Sequence, residues 1–297
     1  MKPKQLTVII PTFNRANALR KALDSLVQQT CSDFAVLVCD DGSTDNTSEV
    51  VDSYSTCLDI SYFLLPHSGG PAMPRNFGAH QAKTMWLSFL DSDDFYYPGR
   101  IEQILRNLEY CDILYHRLDH WVLAVNHGRD YCDTGKSVGH AFAADQVKHL
   151  ISANPVPLSS VVIKRDVFLQ YGGFDSRFNS LEDYELWFRL CLGGKSFYFL
   201  DKCLGVYSTG TDNISKVSRE QFSRLQSLFS HLLGIIPYPL LNYAVSCFAY
   251  QLGCYSLRLC TGEEALYFSA VNIMVDPCRW IKTRLRLLRR PLNFNFL

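Results

Sequence analysis

Three short apolar runs, Leu6–Ile10, Ala35–Cys39 and Met85–Leu90, each stop abruptly at residues that do not continue a buried strand: Pro11, Asp40-Asp41-Gly42-Ser43 and Asp91-Ser92-Asp93-Asp94. Runs of five or six residues that are apolar but for Thr7 and Ser88 suit strands covered on both faces, the situation in a parallel sheet. Parallel strands need crossovers, and the sequence supplies them. Between the first two runs, Ala18, Leu19, Ala22, Leu23, Leu26 and Val27 recur near helical spacing within Ala16–Gln29, which predicts a helix on one face of the sheet. Asp45–Ser53 predicts a second helix, begun by Ser43 or Asp45 as cap, and Ile60–Leu65 the strand after it. Gly69-Gly70-Pro71 breaks the chain, and Pro74–Lys83 predicts the helix that leads to Met85–Leu90. The fold class is therefore α/β, a mostly parallel open sheet with flanking helices, in which ligands bind at the carboxyl ends of the strands.

Further along, the pattern from Asp112 to about Asn154 is irregular and reads only as strands and loops, while Ser159–Ile163 predicts a strand and Asp166–Gly172 a short helix. Beyond about Ser218 the character changes to long helical segments, Arg219–Leu233, Leu240–Cys260 and Gly262–Val275, separated by Pro237, Pro239 and Gly262. The expected division is a domain over residues 1–218 and a helical C-terminal extension over 219–297. Leu240–Leu257 is interrupted by Asn242, Ser246, Gln251, Gly253 and Ser256, which predicts a buried helix and not a membrane span. Arg279, Lys282, Arg284, Arg286, Arg289 and Arg290 follow one another with no acidic residue among them and with Trp280, Ile281, Leu285, Leu287 and Leu288 interleaved. That pattern fits an interfacial helix drawn to anionic lipid, and equally a packed helix with a solvated basic face.

Charge and cysteine usage narrow the class. With 29 basic and 29 acidic residues the net charge is zero, which argues against nucleic acid as a partner held by overall charge. The 11 cysteines form no C-x-x-C pair and no zinc spacing, so free thiols in a reducing compartment are expected. The apolar stretch near Met1 is too short for a signal peptide. The expected location is cytoplasmic, with the basic tail offering contact to the inner face of the plasma membrane.

The acidic strand ends carry the chemistry. Burying carboxylates costs several kcal/mol unless a cation or hydrogen-bond donors offset it. If the chain stays extended through Asp91–Asp94, alternate residues Asp91 and Asp93 share a side and can face one divalent ion. Magnesium or manganese is held by one or two protein carboxylates and completes its shell with phosphate oxygens and water, so a diphosphate ligand is implied. A solvated acidic turn capping the helix near Ile101–Leu108 accounts for the same residues, and the motif alone does not decide. Asp40-Asp41 reads in part as an Asx turn and helix cap. Glu182-Asp183, opening Tyr184-Glu185-Leu186-Trp187, presents a candidate base that a helix N-terminus would also favour. Trp187 reads as core, and His116 and His120 as surface or loop histidines. Neither a P-loop nor a G-x-G-x-x-G fingerprint is present.

Five blocks in order, Val8-Ile9-Ile10-Pro11-Thr12-Phe13-Asn14-Arg15, Asp40-Asp41-Gly42-Ser43-Thr44-Asp45, Gly69-Gly70-Pro71 with Arg75-Asn76, Asp91-Ser92-Asp93-Asp94 and Glu182-Asp183-Tyr184-Glu185-Leu186-Trp187, resemble family 2 inverting glycosyltransferases of the GT-A fold. The likeness runs from about Leu6 to Ser215. It implies a nucleotide-sugar donor, with a UDP-sugar favoured, and a hydroxyl of a glycan or lipid-linked glycan as acceptor, in cell-surface polysaccharide biosynthesis. By the same carry-over Pro11, Thr12 and Phe13 surround the base, and Asp41 meets a uracil-like ring or ribose. Arg75 and Asp91 lie near the nucleotide, Asp93 binds Mn2+ or Mg2+, Glu182 stands on the acceptor side, and Asp183 is the catalytic base. Many members carry Tyr-Arg-x-His later in the chain, with the His near the metal. Here the stretch is Tyr207-Ser208-Thr209-Gly210, so another group takes that place or the metal is held more weakly. Two other readings stay open: a catalytically silent binding subunit of a glycan-assembly complex, and a nucleotidyltransferase.

Overall fold

A computed structural model describes residues 4–109, 111–123, 131–142, 144–209 and 218–258. The elements run β1 (Leu6–Thr12), α1 (Ala16–Val27), β2 (Phe34–Asp40), α2 (Thr47–Asp52), β3 (Ile60–Leu64), α3 (Ala72–Gln81), β4 (Trp86–Phe89), β5 (Phe95–Tyr96) and α4 (Arg100–Leu105). They continue with β6 (Ile113–Leu123), β7 (Tyr131–Val138), α5 (Gln146–Ser152), β8 (Val162–Lys164), α6 (Arg165–Gln170), α7 (Glu182–Leu192), β9 (Phe197–Thr209), α8 (Arg219–Ile235) and α9 (Leu241–Arg258). Among the described residues, nine strands form one sheet in the order β3-β2-β1-β4-β8-β6-β9-β5, with β7 paired to β6.

The sheet has two halves. Strands β3, β2, β1 and β4 are parallel, so their carboxyl ends share one rim. β8 runs antiparallel between β4 and β6, β9 is parallel to β6, and β5 closes the edge antiparallel to β9. Every residue of β1 is buried. Leu19, Leu23 and Leu26 of α1 join Val8, Ile10, Val36 and Val38 in one apolar cluster, where each such side chain contributes about 1.5–3 kcal/mol. On α3, a Cβ at Gly78 would lie 2.7 Å from Ile9 Cγ2 and 3.0 Å from Cys39 Sγ. Glycine there lets the helix lie directly on the strands.

Several expectations are corrected. Asp91–Asp94 is a turn, closed by Asp94 N–H donating to Asp91 O at 3.0 Å, and not an extended segment. Ser159 and Ser160 belong to a 3-10 turn over Leu158–Ser160 and not to a strand, because both hydroxyls are taken up in hydrogen bonds. The irregular region after Asp112 contains β6 and β7, and the 13-residue β9 was not expected at all. His116 is fully buried and is no surface histidine, whereas Trp187 is fully buried as read.

The chain divides into two compact units, residues 1–147 with 154–214, and residues 148–153 with 215–297. In the second, Ser218 caps α8 by accepting from Gln221 N, and Phe229 stacks on Phe248 of α9 at 4.2 Å. No helix among the described residues is long and apolar enough to cross a membrane. Gly210, the segment Gly262–Val275 and the basic tail Arg279–Arg290 lie outside the described residues.

Candidate active site

The site forms where the parallel strands end. Thr12 pairs with Asp40 and Asp40 with Leu64 across β1, β2 and β3, and the rim is knitted by Asp41 N to Thr12 O and Leu65 N to Asp40 O, each 2.8 Å. Asp40 is wholly internal, accepting from Ser43 N at 2.8 Å and from the Tyr62 hydroxyl at 2.6 Å. That bond and burial push the Tyr62 phenol up. Asp41, also buried, accepts from Ser68 N at 2.7 Å, Ser68 Oγ at 2.6 Å and Gly69 N at 3.1 Å, and His67 Nδ1 stands 3.0 Å from its Oδ2. Pro11 and Thr12 are buried in β1, and Thr12 Oγ1 has no hydrogen-bond partner among the described residues. Phe13 is exposed and stacks on the His67 ring at 4.3 Å.

The β4 rim is arranged differently. Arg75, one turn into α3 and buried, donates from Nη2 to Asp91 Oδ1 and from Nη1 to Glu182 Oε1, both at 2.5 Å. One guanidinium thus joins two acidic clusters that are about ninety residues apart in the chain. Burial pulls its pKa down, but the two carboxylates outweigh this and hold it above the ordinary value. Its neighbour Asn76 fixes the same helix to the approach of α7, donating to Phe174 O at 2.8 Å and accepting from Phe174 N at 2.9 Å. Glu182 and Asp183 occupy the first turn of α7, where the helix dipole favours negative charge. Asp93 Oδ2 takes Arg15 Nη1 at 2.7 Å. Asp94 turns inward, accepting from Ser159 Oγ at 2.5 Å and Ser208 N at 2.8 Å.

Crowding shows in the protonation of these groups. Burial, then the charge of Asp91, pushes Asp93 up against the opposing pull of Arg15. Burial, then Asp93 and Asp91, pushes Asp94 well above the carboxylate range. Asp183 is pushed up to about 7 by burial and by Glu182, with Arg75 pulling the other way. A carboxylate near 7 is suited to take a proton at neutral pH.

The residues that would hold a metal ion fit one shared with a ligand. No group of three or more His, Cys, Asp or Glu among the described residues converges as a cage. Asp91 and Asp93 each spend one oxygen on an arginine and keep the other without a side-chain partner among the described residues, which suits Mg2+ or Mn2+ completed by phosphate oxygens.

The structure therefore brings Arg75, Asp91, Asp93, Glu182 and Asp183 to one rim, with Pro11, Thr12 and Phe13 at the end of the adjacent strand β1 and Asp41 at the end of β2 beyond it. Sequence reasoning missed four contributors: Arg15, Ser159, Ser208 and His67. Arg15 lies inside a quoted motif and was open to notice; the other three carry no local signal.

Comparison with known proteins agrees with this geometry. The profile of Glycosyl transferase family 2 matches residues 7–122. The chain is 31% identical over 191 residues to an uncharacterized glycosyltransferase of Haemophilus influenzae, covering 62% of this chain and 61% of that one, and so spans less than two thirds of that relative. It is 30% identical over 236 residues to an uncharacterized glycosyltransferase of Rickettsia typhi, covering 75% and 71%. Among solved structures, S. aureus TarS in complex with UDP-GlcNAc superposes with a TM-score of 0.61 at 20% identity, over 85% of this chain and 72% of that one. The Pyrobaculum calidifontis mannosyltransferase PcManGT, in complex with GDP-Man and Mn2+, superposes with a TM-score of 0.60 at 13% identity, over 96% and 79%. The chain belongs to glycosyltransferase family 2 and has the GT-A fold.

Proposed function

We propose that the protein is an inverting glycosyltransferase that moves a sugar from a nucleoside-diphosphate donor, UDP favoured, to a hydroxyl of a glycan or lipid-linked glycan in the assembly of cell-surface polysaccharide. The observation that carries this reading is the Arg75 bridge. By holding Asp91 and Glu182 together it sets Asp183, the group near 7, beside the carboxylates suited to a diphosphate and its cation. Residues 1–218 are the catalytic part and 219–297 an extension that opens with α8 and α9, and the basic sequence 279–290 suits contact with the cytoplasmic face of a membrane.

Asp183 takes the proton from the acceptor hydroxyl as that oxygen attacks the anomeric carbon. A single displacement with an external nucleophile inverts the configuration. Glu182 pairs with Arg75 and raises the proton affinity of Asp183. Asp93, with Asp91, is the expected ligand of Mn2+ or Mg2+; when bound, such an ion offsets negative charge on the departing diphosphate. The neighbour with GDP-Man and Mn2+ supports this use of metal.

The test is release of nucleoside diphosphate from a panel of nucleotide sugars with Mn2+, compared between wild type and Asp183→Asn. Donor binding is retained in the variant and turnover falls by about 10²–10⁴. Wild-type turnover in Asp183→Asn removes Asp183 as base. Donor binding without any turnover by the wild type indicates a silent subunit, and release of pyrophosphate a nucleotidyltransferase.

A further inference from the structure

We infer that Asn179 is a positioning residue for Asp183: by gripping the Gly69-Gly70 turn it supplies a second anchor for the chain that enters α7. This rests on the reading of Asp183 as base given above. Asn179 Nδ2 donates to Gly69 O at 2.8 Å, while the Gly69 N–H donates to Asp41 Oδ2 at 3.1 Å. Only the NH2 end of a carboxamide can meet a carbonyl oxygen, so this bond sets the orientation of the side chain. Gly70 is shaped to the same contact. Its φ is not in the left-handed region, yet an added Cβ would overlap Oδ1, Nδ2 and Cγ of Asn179. Glycine is required at 70 by Asn179 and not by its own backbone.

The α7 side of this contact is the one that needs holding. Asn179 stands four residues before Asp183, and between them Ser180 has φ +68°, a left-handed conformation that is costly for a residue with a Cβ. Such a reversal persists only where its surroundings impose it. Here the Leu181 N–H donates to Phe178 O across it at 2.7 Å, and Asn179 ties it to Gly69. The Gly69 side is fixed independently, because Asp41 also takes the N–H and the hydroxyl of Ser68. Arg75 already grips α7 at Glu182, but a helix held by one side chain can pivot about it. With Asn179 as a second hold, ahead of the reversal, the first turn of α7 keeps one direction and Asp183 keeps its place. A misplacement of about 1 Å can cost a factor of about 10² in rate, so loss of this hold lowers kcat before it weakens the donor.

The experiment follows release of nucleoside diphosphate by the full chain, with Mn2+, from the nucleotide sugar on which the wild type is fastest, and binding of that nucleoside diphosphate by calorimetry. Asn179→Ala, and Asn179→Leu, which keeps the bulk and lacks the donor, each lose kcat about tenfold or more, with donor KM and Kd within about twofold of wild type. Gly70→Ala displaces the carboxamide and loses kcat comparably, and Gly70→Ala/Asn179→Ala is no slower than Asn179→Ala alone. Amide hydrogen exchange speeds up over residues 180–186 in these variants and not over 65–69. Wild-type kcat in Asn179→Leu, or losses that multiply in the double variant, overturn the assignment. Loss of binding in step with kcat overturns it too, by assigning Asn179 to the donor loop. Wild-type turnover in Asp183→Asn, or a wild type that turns over no donor, overturns the base reading and this inference with it, whatever the Asn179 variants show.

Discussion

The acidic end of β2 and the acidic end of β4 look alike in sequence and are opposite in construction. Asp40 and Asp41 are met by neutral donors from their own surroundings, Ser43, Tyr62, Ser68 and Gly69. Asp91 and Asp93 are met by two arginines, and through Arg75 the cluster extends to Glu182. Neutral donors fix a loop and leave little for a ligand to displace. Cationic partners on crowded carboxylates leave charge that an incoming cation and diphosphate can rearrange. A carboxylate at a strand end thus marks a place, and the nature of its partner tells what the place is for.

The contrast can be broken at its strongest point first. Arg75→Met leaves Glu182 buried without its cation, and the expected destabilisation is about 3–5 kcal/mol in urea unfolding. A change below about 1 kcal/mol means the bridge does not hold the rim together. Next, Asp183 must be ionised to accept a proton and is pushed up to about 7. kcat/KM should then rise about tenfold per pH unit below 7 and level above it, so the rate at pH 5 is about a hundredfold below the plateau. A profile that levels off by pH 5 shows that the proton goes elsewhere. At the β2 end, Asp41→Asn sets an amide N–H2 against the donors Gly69 N and His67 Nδ1, or against Ser68, and costs about 1–3 kcal/mol of stability. Smallest is Arg15→Gln. Its pair with Asp93 is more open to water than the Arg75–Glu182 pair, so about 1 kcal/mol is lost, and a loss of about 3 kcal/mol or more shows that Arg15 is as structural as Arg75.

Much of the first half of the sheet was legible, because β1, β2 and β4 are covered on both faces and read as mainly apolar runs. The second half was not. β9 alternates buried and exposed positions irregularly and carries Asp201, Lys202 and Cys203 in mid-strand, and β5 is two residues hidden behind the acidic turn. Ser159 read as strand because its neighbours are β-branched, yet its hydroxyl serves Asp94 and accepts from Asp91 N at 3.2 Å. Within the site, the identities of Arg75, Asp91, Glu182 and Asp183 followed from family likeness, but the bridge itself is tertiary. No local pattern pairs residue 75 with residue 182.

Gly78 works as a fulcrum for the β4 rim. It lies one turn beyond Arg75 on α3, and its missing side chain lets that helix settle against Ile9 and Cys39. Adding even a methyl group would tip the helix outward, and the displacement at Arg75 would be felt by both carboxylates it grips. The reach of a buried charged side chain is thereby set by an atom that is not there, one turn along the same helix.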